Sequence, residues 1–246
     1  MPAVPAVPEV KGARLSAPVG LAIALTALFA LVIGFDAYAV YADWNVRALA
    51  DRALADPSAA VYADLERGYG LMDRAGTHQR RIAILTGIVF VVWFHRTRTN
   101  AEAFAPGADR LRPGWAIGGW FVPLANFWLP YRIAVATWGS STPLAADGGR
   151  AAGRLPLMPV NLWWGAFVLS KVVAWYGGRS YGGAESLEEV RDAATTVLVG
   201  DVVDIVAAVL AVLYVRRLTA LQHARIAQGP RSVAETPVPM AERLPD

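Results

Sequence analysis

The chain has 246 residues, a formal net charge of +3 and no cysteine, with 55% apolar and 17% charged residues. Water-soluble domains usually carry about 25% charged residues, so this deficit indicates a membrane protein. The lack of cysteine excludes disulfide scaffolds, cysteine zinc sites and thiol catalysis. Of the 23 basic residues, 21 are arginines and none forms a long run. We therefore expect the positive charge to orient the chain in a membrane rather than to bind nucleic acid.

The first predicted elements are a tail and a membrane span. Residues 1–18 carry proline at positions 2, 5 and 8, which predicts a disordered tail. Residues 19–41 form an apolar run long enough to cross a hydrocarbon core of about 30 Å as a helix. A cleaved secretory signal is the alternative, because a cleavage-like Ala37-Tyr38-Ala39 follows. The uncharged stretch 19–35 exceeds the usual signal length of about 7 to 15 residues, which favours the span.

The second span follows a region of mixed charge. Residues 43–79 carry apolar side chains at helical spacing and predict one or two amphipathic surface helices. Arg80 and Arg81 open the second predicted span, residues 82–97. Its apolar part is short, so a soluble core helix is the alternative. Arginines at both ends favour the span, because their stems can lie along the apolar region while the guanidinium groups reach the headgroups.

Residues 113–138 are aromatic and interrupted by proline and glycine. Pro123 and Pro130 each remove a backbone donor, so a continuous helix is not expected. If the segment returns to the side from which it entered, the inner pieces hold 14 basic and 7 acidic residues and the outer pieces 8 and 10. Basic residues tend to stay cytoplasmic, so we expect a re-entrant or interfacial segment. Its motif residues are Pro113, Gly114, Trp115, Trp120, Pro123, Asn126 and Pro130.

Two further spans complete the predicted architecture. Residues 160–177 contain Lys171, and residues 195–215 contain Asp201 and Asp204. Residues 229–246 are rich in proline and predict a second disordered tail, which leaves 19–228 as the membrane domain. The sequence thus predicts an all-α membrane protein with four transmembrane helices and one re-entrant or interfacial segment. It is expected in the cytoplasmic membrane with both termini cytoplasmic.

The aromatic, proline and glycine positions also carry a family resemblance. The runs 93–101, 112–116 and 120–126 are the most specific, followed by 129–132, Trp138 and, more weakly, 216–222. They resemble an actinobacterial membrane family catalogued as domain of unknown function 4328, over roughly residues 81–222. The resemblance implies a multi-span protein of the cytoplasmic membrane and supplies no activity or catalytic residues.

Charged residues inside the predicted spans form one candidate site. Asp36, Lys171 and Asp201 each lie about 8 to 9 Å below the same outer boundary, and Asp204 is one turn deeper. Because unpaired charges at this depth are costly, Lys171 is expected to pair with Asp201, and Arg80 or Arg81 to reach toward Asp36. The network either fixes the helix register or leaves Asp204 as a proton or cation site.

A second candidate site is basic and lies on the inner side. Arg96, Arg98, Asn100, Arg110 and Arg112 follow the second span, where arginines set orientation and can attract anionic lipid. The aromatic residues of segment 113–138 form either an interfacial belt or a ligand pocket, and Asn126 either staples the turn or contacts a ligand.

Neither a metal nor a cofactor site is predicted. The three histidines lack ligand spacing, and no catalytic motif is present. We expect a structural, sensing, partner-binding or lipid-binding membrane component, not an enzyme. The alternative is a small transporter or ion-conducting subunit that uses the intramembrane Asp and Lys residues. The expected partners are membrane lipids, anionic ones among them, and a membrane protein or a second copy of the chain.

Overall fold

The computed structural model describes residues 15–143 and 155–228, and within them the chain is helical and contains no strand. The C-terminal predicted tail and most of the N-terminal one lie outside these residues. The helices are α1 (Val19–Ala55), α2 (Ala59–Phe104), α3 (Trp115–Gly118), α4 (Leu129–Ser140), α5 (Met158–Gly182) and α6 (Leu187–Ala227), with a 3-10 turn at Ala125–Phe127.

Helices α1, α2 and α6 are long and apolar enough to cross a membrane. They have 37, 46 and 41 residues, so each is about 55 to 70 Å long and exceeds a hydrocarbon core of about 30 Å. Residues 43–79 are therefore not separate surface helices, as the sequence predicted, but continuations of α1 and α2. The first helix breaker after the first span is Pro57, in the turn 56–58.

Helix α5 has 25 residues, contains Asn161 and Lys171, and is not among the described helices that are long and apolar enough to cross a membrane by length and composition. The long helices pack in a row in the order α2, α1, α6, α5, and the two end helices of the row make little contact with each other. The turns 56–58 and 183–186 lie at one end of the row, which we call the hairpin end. The other end, where α1 and α5 begin, is the termini end, and α3 and α4 pack against α2 there.

The termini end contains an aromatic core. Its rings are Phe90, Trp93, Phe94, Trp138, Trp163 and Tyr214. Trp163 and Tyr214 stack with ring centroids 4.4 Å apart, and Trp93 Nε1 donates to Thr219 Oγ1 at 3.1 Å. Aromatic pairs of this kind stabilise by about 0.5 to 1.5 kcal/mol beyond the burial of their area. The core therefore ties α2, α4, α5 and α6 together at this end.

The hairpin end has a smaller core of Val46, Leu49, Ala53, Leu65 and Ala194. Helix α6 begins here with a capping box, in which Ser186 Oγ accepts from the Glu189 amide and the Glu189 carboxylate accepts from the Ser186 amide. Hydrogen bonds from the amides of Glu185 and Ser186 lower the pKa of Glu189. The start of α6 is thus fixed at a defined residue.

Candidate functional site

Three aspartates and one glutamine meet between α1, α2 and α6, and we call them the carboxylate cluster. Asp36 and Asp43 are 2% and 1% exposed, and Asp43 faces Asp201 of α6. Gln79 Nε2 donates to Asp36 Oδ1 at 3.0 Å and to Asp201 Oδ1 at 2.9 Å. Oδ2 of each of the three aspartates has no hydrogen-bond partner within the part of the chain that the structure describes.

Lys171 of α5 pairs with Asp204, with Nζ and Oδ1 3.0 Å apart, and not with Asp201 as predicted. Arg80 donates to Thr77 Oγ1 and is exposed, and Arg81 is exposed as well, so the prediction that one of them reaches Asp36 is wrong. The reason is the angular position of each residue around the axis of α2. Gln79 lies on the inward stripe of α2 that also carries Ala75 and Ile82, whereas the next two residues are rotated by about 100° and 200°.

A cavity of about 230 Å³ lies between the two end helices of the row, and we call it the lateral cavity. Its walls are largely apolar and include Phe90 and Gly87 of α2, Phe167 of α5 and Trp120 of the broken segment. Lys171 and Asp204 also line it. It exists because α2 and α5 do not close against each other.

The motif segment is broken as the prolines predicted. Chain turns separate α3 from the 3-10 turn, and Pro130 lies in the first turn of α4, where its missing donor costs nothing. Leu124 has φ +64° and ψ −49°, and the amide of Ala125 donates to the carbonyl of Pro123 at 2.8 Å. This is a γ-turn of positive φ, a rare and strained conformation for a residue with a side chain.

The middle of this segment exposes large apolar side chains, which we call the apolar tip: Phe121, Leu124, Phe127 and Trp128. Phe121 is 74% and Leu124 72% exposed. The side-chain carbonyl of Asn126 does not stabilise the turn by a hydrogen bond, because Oδ1 has no partner among the described residues.

The remaining motif residues anchor the segment to the bundle. Trp120 packs edge-on against Phe90, Phe94, Trp164 and Phe167. The carbonyl of Pro113 lies 3.2 Å from His95 Nδ1, and a Cβ on Gly114 would meet nothing within 4 Å. Trp115 is exposed. Of the predicted aromatic belt, Trp120 therefore belongs to the core, whereas Trp115 and the apolar tip face outward.

The residues of the predicted inner basic loop are also partly buried and partly exposed. Arg96, Arg98 and Asn100 lie in α2 rather than in a loop, because the helix continues to Phe104. Arg98 is buried, donates to the carbonyl of Leu111 at 2.8 Å and pairs with Glu102 and Asp109. Arg96, Arg110 and Arg112 are exposed.

Asn100 belongs to a buried polar network that sequence reasoning missed. Gln222 of α6 accepts from Asn100 Nδ2 at 3.0 Å and donates to the carbonyl of Thr97 at 2.8 Å and to Ser141 Oγ at 3.0 Å. Gln222 lies beyond the predicted span, and Gln79 is uncharged, so neither shows the cost of a charge in hydrocarbon that marks the predicted site residues. Their spacing from buried residues of the same helix could have identified them, because Gln79 and Gln222 each lie on the stripe of their helix that faces inward.

The described residues are all-helical and include three helices that are long and apolar enough to cross a bilayer, which indicates a helical membrane protein. A family model described as Domain of unknown function (DUF4328) matches residues 59–220, well over half of the chain. The chain belongs to this family, as the motif resemblance indicated. The comparisons found no match to a curated protein and no match to a solved structure.

Proposed function

We propose that this chain is a non-enzymatic, lipid-binding component of the cytoplasmic membrane, with four spans and both termini cytoplasmic. The observation that carries the proposal is the apolar tip. Four large apolar side chains project from a strained turn, and the described residues do not cover them. Exposed apolar patches mark interaction surfaces, and a bilayer covers this one if the segment is re-entrant at the termini end.

Exposed side chains support α5 as the fourth span. Its exposed apolar residues are Met158, Leu162, Leu169, Val172, Trp175 and Tyr176. Helices α1, α2 and α6 expose similar bands of aliphatic residues. Trp175 and Tyr176 near the end of α5 match Tyr41 and Trp44 on α1, as expected for an interfacial aromatic belt. The distance along α5 from Met158 to Trp175 is about 26 Å, close to the thickness of a hydrocarbon core.

Three exposed arginines support contact with anionic headgroups. Arg96, Arg110 and Arg112 lie around the loop that leads into the broken segment. Each arginine near an anionic surface contributes about 1 kcal/mol of attraction. The tip and the arginines together would bind the acyl region and the headgroups of one leaflet.

A pair of measurements tests this proposal. A spin label on Leu124→Cys in liposomes should be accessible to oxygen and shielded from a water-soluble nickel complex, whereas a label on Ala108→Cys should show the reverse. Wild-type protein should retain anionic lipid through purification. Replacing Arg96, Arg110 and Arg112 by Gln should reduce that retention several-fold, and the matched change of Arg52, Arg67 and Arg74 at the hairpin end should not. A water-exposed label at position 124 would refute the proposal.

The carboxylate cluster favours a second candidate, a proton-conducting or cation-conducting subunit. Asp36 and Asp201 share a neutral amide donor rather than a cation, and ionisable groups inside membrane proteins often mark transport paths. Replacing Asp43 and Asp201 by Asn should then abolish a proton or cation flux in liposomes, while Asp51→Asn at the exposed surface should not. If wild-type liposomes show no flux, this candidate is dropped.

A further inference from the structure

The lateral cavity is large enough to hold part of a ligand. An apolar cavity of about 150 Å³ accommodates benzene, and this one measures about 230 Å³. Phe90, Trp120, Trp163 and Phe167 form an aromatic wall at one end of it. The rings of Phe90 and Trp163 join α2 and α5 at the aromatic end, but the two backbones do not come close elsewhere, so the cavity faces the region between these helices, where acyl chains would surround the bundle.

An ion pair closes the other end of the cavity. Lys171 and Asp204 are 51% and 31% exposed, although they lie within the apolar bands of α5 and α6. A charged pair facing hydrocarbon is costly, so a polar group that contacts both charges would be favoured here. Lys171 Nζ also lies 5.7 Å from the centre of the Phe167 ring, so the ion pair adjoins the aromatic wall at this one ring.

We propose that the lateral cavity binds one acyl chain of a zwitterionic phospholipid, whose phosphate contacts Lys171 and whose ammonium group contacts Asp204. The pair has no net charge and offers both a donor and an acceptor, as a zwitterionic headgroup requires. Asp36 and Asp201 of the carboxylate cluster lie close enough to Lys171 and Asp204 to interact with both charges electrostatically. This site is in the leaflet of the hairpin end and does not depend on the apolar tip.

Two glycines allow a matched test of the acyl-chain site. Gly87 lines the cavity and Gly165 does not, and a Cβ on either would meet nothing within 4 Å. Gly87→Leu should therefore extend a side chain into the cavity from a position that has room for its Cβ, and Gly165→Leu should add the same side chain to the lipid-facing surface. The two variants should melt at similar temperatures.

The readout is native mass spectrometry of protein taken from nanodiscs that contain equal amounts of phosphatidylethanolamine and phosphatidylglycerol. Wild type and Gly165→Leu should each retain one phosphatidylethanolamine, and Gly87→Leu should lose it at least five-fold. The diagnostic quantity is the lipid that Gly87→Leu loses and Gly165→Leu keeps, because the arginines of the termini end are expected to retain anionic lipid in both variants. In the double variant Lys171→Met/Asp204→Asn, the lipid at the cavity should no longer be selected by its headgroup. Equal retention of lipid by the two leucine variants, loss of phosphatidylglycerol rather than phosphatidylethanolamine in Gly87→Leu, or loss of a molecule that is not a lipid would overturn the proposal.

Discussion

Gln79 and Arg80 are neighbours in the sequence but point to different sides of α2. Gln79 donates to two carboxyl groups inside the bundle, and Arg80 donates to the Thr77 hydroxyl near its own turn. A cation on the inward stripe would have been the simpler partner for Asp36. The protein instead uses a neutral amide, which bridges α1 and α6 without adding a buried cation.

Gln79→Leu should lower the stability of the bundle. The change removes the donor from Asp36 and Asp201 and leaves two carboxyl groups inside the bundle unsatisfied, at a cost of about 1 to 3 kcal/mol each. Thermal unfolding in detergent would show this as a lower midpoint. Arg80→Leu is the matched control, and as a surface change it should stay within about 0.5 kcal/mol. A larger effect for Arg80→Leu than for Gln79→Leu would contradict this account.

Gln222→Leu should destabilise the termini end. The glutamine connects α6 with Asn100 and Thr97 of α2 and with Ser141 after α4. Leucine fills a similar volume but leaves these groups without their partner, which costs about 1 to 3 kcal/mol for each buried group. Hydrogen exchange of α4 should report the loss. The neighbouring His223 is exposed, and His223→Leu should leave exchange unchanged.

The sequence was sufficient to select most of the charged residues but not their partners. Depth counted along the spans placed Asp36, Lys171 and Asp201 at one level and Asp204 one turn deeper, and the structure places all four in one neighbourhood. Partner choice depends on the rotation of each helix about its axis. A difference of one residue changes that angle by about 100°, and hydropathy over a window does not record it.

At the scale of elements, the capping box makes a specific prediction about α6. Ser186→Ala removes the side chain that accepts from the Glu189 amide and should cost about 1 kcal/mol, seen as faster amide exchange in the first turn of the helix. Ser58 is the matched control, because it occupies the same position before α2 but makes no side-chain capping bond. Similar losses for Ser58→Ala and Ser186→Ala would show that the cap does not set the start of α6.

Element ends differ in how well the sequence predicts them. The broken segment was predicted because proline removes a donor regardless of what surrounds it. The length of α1 was not predicted, because hydropathy marks only the part of a helix that is apolar throughout. The amphipathic residues 43–55 continue α1 without a helix breaker. The same holds for residues 59–81 of α2. A helix therefore extends until a cap or a breaker ends it, inside or outside the membrane.

At the scale of the whole molecule, small residues line the most extensive helix contact. Buried alanines occur on α1 and α6: Ala22, Ala39, Ala42, Ala50, Ala53, Ala193, Ala194, Ala207, Ala208 and Ala211. Small side chains let membrane helices approach closely, and α1 and α6 form the most extensive contact of the row. The row order and the lateral cavity could not be predicted from the sequence, because both depend on which faces pair across long separations.

The central claim of the account is that four spans cross the membrane and the broken segment returns to the side from which it entered. The chain has no cysteine, so single cysteines can be introduced without removing others. The informative positions are Ser58 in the hairpin turn, Ala108 and Thr142 on either side of the broken segment, and Leu124 in the apolar tip.

Labelling with a membrane-impermeant maleimide on intact and opened cells tests this topology most directly. The account predicts that Ser58→Cys reacts in intact cells, that Ala108→Cys and Thr142→Cys react only after opening, and that Leu124→Cys reacts slowly in both. Reaction of Thr142→Cys in intact cells while Ala108→Cys stays protected would mean that the segment crosses the membrane, which would contradict the account.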